Sequence, residues 1–459
     1  MAHLAVVGGG LAGLAAAYQA RRADPTLHIT LLEAEPRLGG KVVSVAENGF
    51  LVEGGPDAVV RYKPWALDLI RELGLEDRVV GTVPSRPSAM IHDGHRALPI
   101  PPGLQMVVPG DLLALARSPL LSPFGKARAL LDLLLPKGPE SDEAFGAFIE
   151  RRLGRQIWNR LVAPLSGGIY GGEPYELSTL AAFPQLKALE QAYGSLVRGA
   201  MAQRKARGSR EAGQLFASLE GGLGTLVETL KARLQNVQLQ LGTKVTGLEH
   251  KNGWWVQTLE GALEADAIVL ATPAGVSGSL LKRLHPEAAR ALQQIPYGSS
   301  ATVTFAFAKE DLPPRTGHGM LLAAGAGFRA RGFTWSDQKW QGRAPEGLGL
   351  VRVYFSGVQA EEAQLAHLAL NDLTRLWVRR PKPLHTWVFY WPQGLPRYTV
   401  GHLERAARAL EAEQLPGLYL AGAAYQGVGL PEVIRMGRSA AQKALEYLGV
   451  TPATPDKLA

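Results

Sequence analysis

Residues 4–13 read Leu-Ala-Val-Val-Gly-Gly-Gly-Leu-Ala-Gly, and this stretch decides the fold. The apolar run Leu4–Val7 passes without a spacer into glycines at 8, 9, 10 and 13, and helix formers follow from Leu14 to Tyr18. A second apolar run, Leu27–Leu32, ends at the acidic Glu33, twenty residues beyond Gly13. Strand, glycine turn, helix, strand and acid together form the dinucleotide-binding fingerprint in its βαβ setting. Gly8 permits the tight turn, Gly10 lets the backbone approach a pyrophosphate, and Gly13 lets helix and strand pack closely. The helix opens at Leu11 and Ala12, and its N-terminus offers free N–H groups and a partial positive charge to phosphates. Glu33 is placed to accept hydrogen bonds from the adenosine ribose.

The residues that follow choose between NAD and FAD. After Glu33 come Ala34, Glu35, Pro36, Arg37, Leu38, Gly39, Gly40 and Lys41. Arg37 with Gly39 and Gly40 brings a guanidinium and open backbone to the same pyrophosphate, with Lys41 closing the loop. Gly54, Gly55, Pro56 and Asp57 give a second close-approach turn. Near the other end, Leu418–Ala421 reads as a short strand ending at Gly422 and Ala423, and Gly427-Val428-Gly429-Leu430-Pro431 leads into a last helix. A chain that starts a cofactor site, leaves it and returns to finish it holds its cofactor permanently, which fits FAD and not a dissociable NAD. The predicted fold is α/β: a discontinuous Rossmann-like FAD-binding domain made of residues 1–80, 213–297 and 391–459. Alternating segments such as Ala301–Phe307, Gly332–Trp335 and Leu350–Phe355 predict a sheet domain over 81–103 and 298–390. Residues 104–212 read as a helical insertion.

Composition excludes several classes. An apolar content of 46% and a charged content of 20% over 459 residues are globular values, enough for two or three domains. The absence of cysteine removes disulfides, thiolate metal sites and thiol catalysis, and no metal site is expected. No run of about 18 apolar residues predicts a membrane-spanning helix. The first strand begins at once, so no signal peptide is expected and the cytoplasm is the predicted compartment. The net charge of +8 suits a carboxylate-bearing substrate or an anionic membrane surface. Its basic residues are scattered and carry no recognition motif, which argues against nucleic acid.

Several stretches carry a more specific resemblance. They are Gly54–Asp57, Lys63–Ile70, Ser166–Gly172, Leu177-Ser178 with Phe183-Pro184, Tyr398–His402 and Gly422–Pro431. Running from end to end, they resemble the bacterial porphyrinogen oxidases of haem synthesis, within the flavin amine oxidase superfamily. The resemblance implies FAD as cofactor and a porphyrinogen as substrate, either protoporphyrinogen IX or coproporphyrinogen III. It implies six electrons leaving as three hydrides to flavin N5, with dioxygen as acceptor. It also implies that a backbone amide near Val245 meets the adenine, that the turn after Thr272 borders the cofactor, and that the sheet domain floors the substrate cavity.

Hydride leaves a methylene bridge already activated by two pyrroles, so the protein must supply a flat apolar slot, a flavin face and carboxylate anchors. The principal catalytic contribution falls to Val428 and Gly429, whose amides at the start of the last helix face the site of developing negative charge on the flavin. Arg61, Lys63 and Arg397 are the candidate propionate anchors, with Arg352 and Lys339 on the sheet. Tyr170 and Trp335 are candidates to line the slot. Asp57 stands where mitochondrial relatives carry arginine in the Gly-Pro turn, which places the chain on the bacterial side. His402 invites a catalytic reading, against a structural one beside the flavin. Two other functions compete: a different superfamily enzyme, such as an amine oxidase or carotenoid desaturase, and a non-catalytic porphyrin-binding flavoprotein. The leucine-rich stretch Asp111–Leu135, with Arg117, Lys126 and Arg128, reads either as a cap over the substrate tunnel or as a peripheral contact on the inner face of the cell membrane. Monomer and homodimer both stay open.

Overall fold

The computed structural model describes residues 2–167, 173–207 and 215–450. Two sheets organise it. The first is a five-stranded parallel sheet with spatial order Gln238–Gln240, His28–Leu32, His3–Val7, Ala267–Leu270 and Leu418–Leu420. Its strands are almost wholly apolar because both faces are covered. Along the central strand, Leu4 and Val6 enter the core beneath helices Leu11–Ala23 and Leu430–Tyr447, whereas Ala5 and Val7 pack on the opposite face with Ile268, Leu270 and Trp254. The first and last helices lie against one another through Gly437, where an added Cβ would overlap the carbonyl of Ala12. The N- and C-terminal parts of the chain therefore share one core.

The second sheet has seven strands in the order His385–Pro396, Tyr297–Ala308, Leu348–Ser356, Gly332–Trp335, Gly319–Leu322, Met90–His92 and Ala97–Pro99. All pairings are antiparallel except that between Gly319–Leu322 and Met90–His92. Strand alternation divides its faces. Val303, Phe305, Phe307, Val351 and Val353 are buried against helix Glu362–Trp377 through Leu365, Ala369 and Leu373. Thr302, Thr304, Arg352, Tyr354 and Phe389 occupy the other face by register.

The insertion is helical, with Leu112–Arg117, Pro123–Leu130, Phe145–Leu153, Pro184–Tyr193 and Leu196–Arg207 as its main elements. Ser122 and Asp111 cap the two leucine-rich helices by accepting from Gly125 and Ala114. These helices have a core of their own, built on Phe145, Phe148, Trp158 and Leu186. A buried ionic network crosses it: Arg152 donates to Asp132 at 2.5 Å with both side chains fully enclosed, and Arg151 joins Glu143 and Glu190 at 2.7 and 2.8 Å. No helix among the described residues is long and apolar enough to cross a membrane.

Candidate active site

Parallel strands all end on one edge of the first sheet, and that edge collects the predicted cofactor residues. Gly8 follows His3–Val7, Glu33 follows His28–Leu32, Thr272 lies just past Ala267–Leu270, and Gly422 just past Leu418–Leu420. The ends are stitched together, with Gly8 N donating to Leu32 O at 2.7 Å, Ala271 N to Val7 O at 2.8 Å and Ala421 N to Leu270 O at 2.9 Å. Ligands in open α/β sheets bind at this carboxyl edge.

The glycines behave as their spacing requires. Gly8 has φ +106°, and a Cβ there would stand 2.7 Å from Ala271 O. A Cβ on Gly13 would overlap Gly8 O, so helix and turn touch backbone to backbone. On Gly10, by contrast, it would meet no heavy atom of the described residues within 4 Å, and the same holds at Gly422. Gly39 N donates to Gly9 O at 2.8 Å, which lays the second glycine pair beside the first. The carboxylate of Glu33 reaches the turn, accepting from Gly9 N at 2.5 Å and Glu35 N at 2.9 Å. Arg37 spans back to Gly40 O at 2.7 Å, and its guanidinium lies 5.9 Å from the Trp391 ring. The ammonium of Lys41 meets no acceptor among the described residues, and burial lowers its pKa. Val245 begins the strand Val245–His250, two residues from Thr243, whose amide donates to Glu33 O at 2.8 Å. Thr272 shares a 2.7 Å hydrogen bond with Ser277.

The last helix completes the cradle. Gly429 is its N-cap in extended conformation, and the amides of Val428, Gly429 and Leu430 meet no acceptor among the described residues. The loop before it is held by Tyr398, whose hydroxyl donates to Ala423 O at 2.6 Å and accepts from Gly427 N at 2.8 Å. His402 stacks on Tyr398 with ring centroids 3.6 Å apart. It is fully buried, and burial together with Arg405 lowers its pKa to about 4. It is neutral at physiological pH and braces Tyr398, which favours the structural reading. Free amides at the start of the last helix, two glycines open to approach and a lysine without an acceptor among the described residues form a donor set that fits an anionic dinucleotide.

Several of the predicted residues have protein partners of their own. The carboxylate of Asp57 is taken by Lys339 at 2.6 Å and by Trp340 Nε1 at 3.2 Å. Burial alone would raise its pKa, but the charges of Lys339 and Arg352 hold it well below the usual carboxylate range. Lys339 and Arg352 are correspondingly spent, since Arg352 donates to Gly55 O. Trp335 lies on the buried face of the second sheet, its ring stacked with Phe333 at 6.2 Å, because Gly332 and Thr334 take the opposite face. Lys63 is ion-paired with Glu432 in the last helix, and Arg61 is anchored along Leu215 and Phe216. Arg397 binds Glu176 at 2.6 Å. Tyr170 lies outside the described residues.

Further contacts were not anticipated. Thr302 Oγ1 and Trp391 Nε1 both donate to Gly54 O, at 3.2 and 3.0 Å, and Arg352 holds the next carbonyl. The second sheet is thus fastened to the close-approach turn, facing the dinucleotide edge. Arg331 pairs with Glu173, whose carbonyl also accepts from Arg397 at 3.5 Å, so two guanidiniums converge on one turn. Among the described residues no cluster of three His, Asp or Glu side chains is arranged to hold a metal.

The geometry defines an α/β protein with a two-part dinucleotide site. Residues 11–445 match the model of the flavin containing amine oxidoreductases, and the chain belongs to that family. A dinucleotide cradle in a flavin family makes the cofactor FAD. The chain is 33% identical to coproporphyrinogen III oxidase of Bacillus subtilis, covering 97% of this chain and 98% of that protein. It is 37% identical to coproporphyrinogen III oxidase of Propionibacterium freudenreichii, covering 99% and 93%. The solved structure of an Exiguobacterium sp. 255-15 protein superposes with a TM-score of 0.87 at 36% identity, covering 98% of this chain and 99% of the other.

Proposed function

We propose that the protein oxidises a porphyrinogen to a porphyrin in haem biosynthesis, with coproporphyrinogen III preferred and dioxygen as electron acceptor. The observation that carries this reading is end-to-end alignment with two proteins named coproporphyrinogen III oxidase, in a chain whose dinucleotide edge faces a polar sheet. Bound FAD supplies the hydride acceptor. The chain contributes position and electrostatics. Gly8, Gly10, Leu11, Ala12 and Gly13, with Arg37, Gly39, Gly40 and Lys41, hold the pyrophosphate; Glu33 and Ala34 border the ribose. Gly54, Gly55 and Pro56, the turn to which the second sheet is fastened, would border the flavin. Amides of Val428 and Gly429 would offset negative charge on a reduced flavin bound there. Lys63 stands beside that helix. Arg397, joined by Arg331, reads substrate carboxylates. No paired-carboxylate or Ser-His-Asp arrangement is required, because the scissile C–H is activated by the substrate itself.

The test is anaerobic mixing of the holoprotein with coproporphyrinogen III and protoporphyrinogen IX while flavin absorbance is followed. Faster bleaching with the former is the expected result, and admission of air should yield hydrogen peroxide without added NAD. Bleaching by neither substrate would overturn the reading. Peripheral membrane contact is part of the same proposal: Leu113, Phe124 and Leu134 are 59%, 81% and 82% exposed on the insertion, beside Arg117 and Lys126, so salt should release the protein from anionic vesicles.

A further inference from the structure

We propose that Lys63 and Glu432 form a charge pair that sets the reduction potential of the bound flavin. The inference rests on the flavin placement at the last helix given above, and not on the identity of the substrate. Gly429 is the N-cap of that helix, so Glu432 is its third residue. A glutamate at this position ordinarily reaches back to the N-cap amide. Here it does not: Oε2 has no hydrogen-bond partner among the described residues, although the residue is only 7% exposed. The side chain nevertheless folds over the turn. A Cβ on Gly429 would stand 2.6 Å from Oε2, and one on Gly427 would stand 2.6 Å from Cγ. A buried acceptor lacking a donor is thus aimed at the same helix N-terminus that offers free amides.

Its other oxygen is taken by Lys63, the N-cap residue of helix Pro64–Glu72. The remaining charges on these two helices are engaged elsewhere. Arg435 donates to Gln426 at 3.0 Å and covers the Trp65 ring at 4.8 Å, and Arg438 binds Gln19 and Glu72, both at 2.9 Å. The helix start therefore pairs one negative with one positive charge, and Arg435, whose partners are neutral, adds a further positive charge near Lys63. Reduction places negative charge on the flavin, and a nearby charge acts on that state more than on the oxidised one. With Lys63 removed, the buried carboxylate opposes reduction. With Glu432 removed, the ammonium and the helix dipole favour it together.

The measurement is the midpoint potential of the holoprotein, equilibrated anaerobically with a reference dye, for wild type, Lys63→Met, Glu432→Gln and the double variant. Lys63→Met should lower the reduced-to-oxidised ratio at fixed potential tenfold or more, where tenfold is about 30 mV for a two-electron couple. Glu432→Gln should raise the ratio, the double variant should lie between, and Lys63→Arg, which keeps the charge, should match wild type. A purely structural pair would not move the two single variants in opposite directions. Shifts of the same sign, or none, overturn the proposal. Should Lys63→Met fail to retain FAD, Glu432→Gln against Lys63→Arg decides alone, and a Glu432→Gln potential equal to wild type overturns it. Gly429→Ala separates this failure from an error in flavin placement: if placement is wrong, its potential and FAD affinity also match wild type.

Discussion

His402 provides a pH-dependent test of how the flavin-side loop is held. The ring is fully buried, stacked 3.6 Å from Tyr398, and neither nitrogen has a partner in hydrogen-bond geometry among the described residues. Burial, reinforced by Arg405, moves its pKa from 6.5 to about 4. The sign follows from proton uptake. Between pH 6.5 and 4 the unfolded chain holds a proton on this ring that the folded protein does not, so stability is full above pH 6.5 and falls as pH drops through that window. From pH 7.5 to 5, a group with these two pKa values removes about 2 kcal/mol. An unfolding entropy of ~2.1 cal/mol/K per residue over this chain turns that into a Tm decrease of about 2 °C. His402→Phe keeps the stacked ring and removes the titration. Thermal unfolding of wild type and variant at both pH values isolates the residue, since other titrating groups cancel in the double difference. The variant should lose about 2 °C less than wild type on acidification. Equal losses would show that His402 is already protonated or solvated in the folded protein, and the account of it as a neutral brace for Tyr398 would be wrong.

Two further outcomes follow from the site. Glu33→Ala should weaken FAD binding by about 1–3 kcal/mol, the range for lost charge-assisted hydrogen bonds, and unchanged affinity in a fluorescence titration would remove Glu33 from the ribose. Lys339→Met strands the enclosed Asp57 carboxylate and should cost about 3 kcal/mol in denaturant unfolding; Lys339→Met with Asp57→Asn should recover most of it, and an undiminished loss in the double variant would exclude the pair as the cause.

What the sequence made legible was local. The glycines at 8, 10 and 13 and the acid at 33 are fixed by one turn and two adjacent strands, so residue type and spacing suffice. The same holds for the start of the last helix. Legibility fails where a role depends on a partner far along the chain. Asp57 sits in a Gly-Pro turn that points to a cofactor, but its carboxylate is claimed by Lys339, 282 residues away. Trp391 and Thr302 hold Gly54 only because antiparallel register brings both strands over that turn. Their segments carry no local mark of it, since Trp387, Phe389, Tyr390 and Trp391 give little polarity contrast. Trp335 is a different failure. Alternation of Gly332 and Thr334 with Phe333 and Trp335 already assigns the aromatics to one face, and that face is the core.

The basic residues show why net charge is a poor guide to a carboxylate site. Lys63, Lys339 and Arg352 are each committed to a partner that shapes the fold: a helix start, an enclosed aspartate and a turn carbonyl. Displacing any of them leaves a buried group unpaired, which costs far more than a solvated propionate returns. Arg331 and Arg397 differ. Their carboxylate partners, Glu173 and Glu176, are 60% and 62% exposed, and exposed pairs of this kind contribute about 0–1 kcal/mol. A substrate carboxylate can take either guanidinium while the displaced glutamate returns to water. Unlike Lys63, Lys339 and Arg352, these two guanidiniums can exchange partners at low cost, which supports the proposed propionate recognition at the turn where they meet.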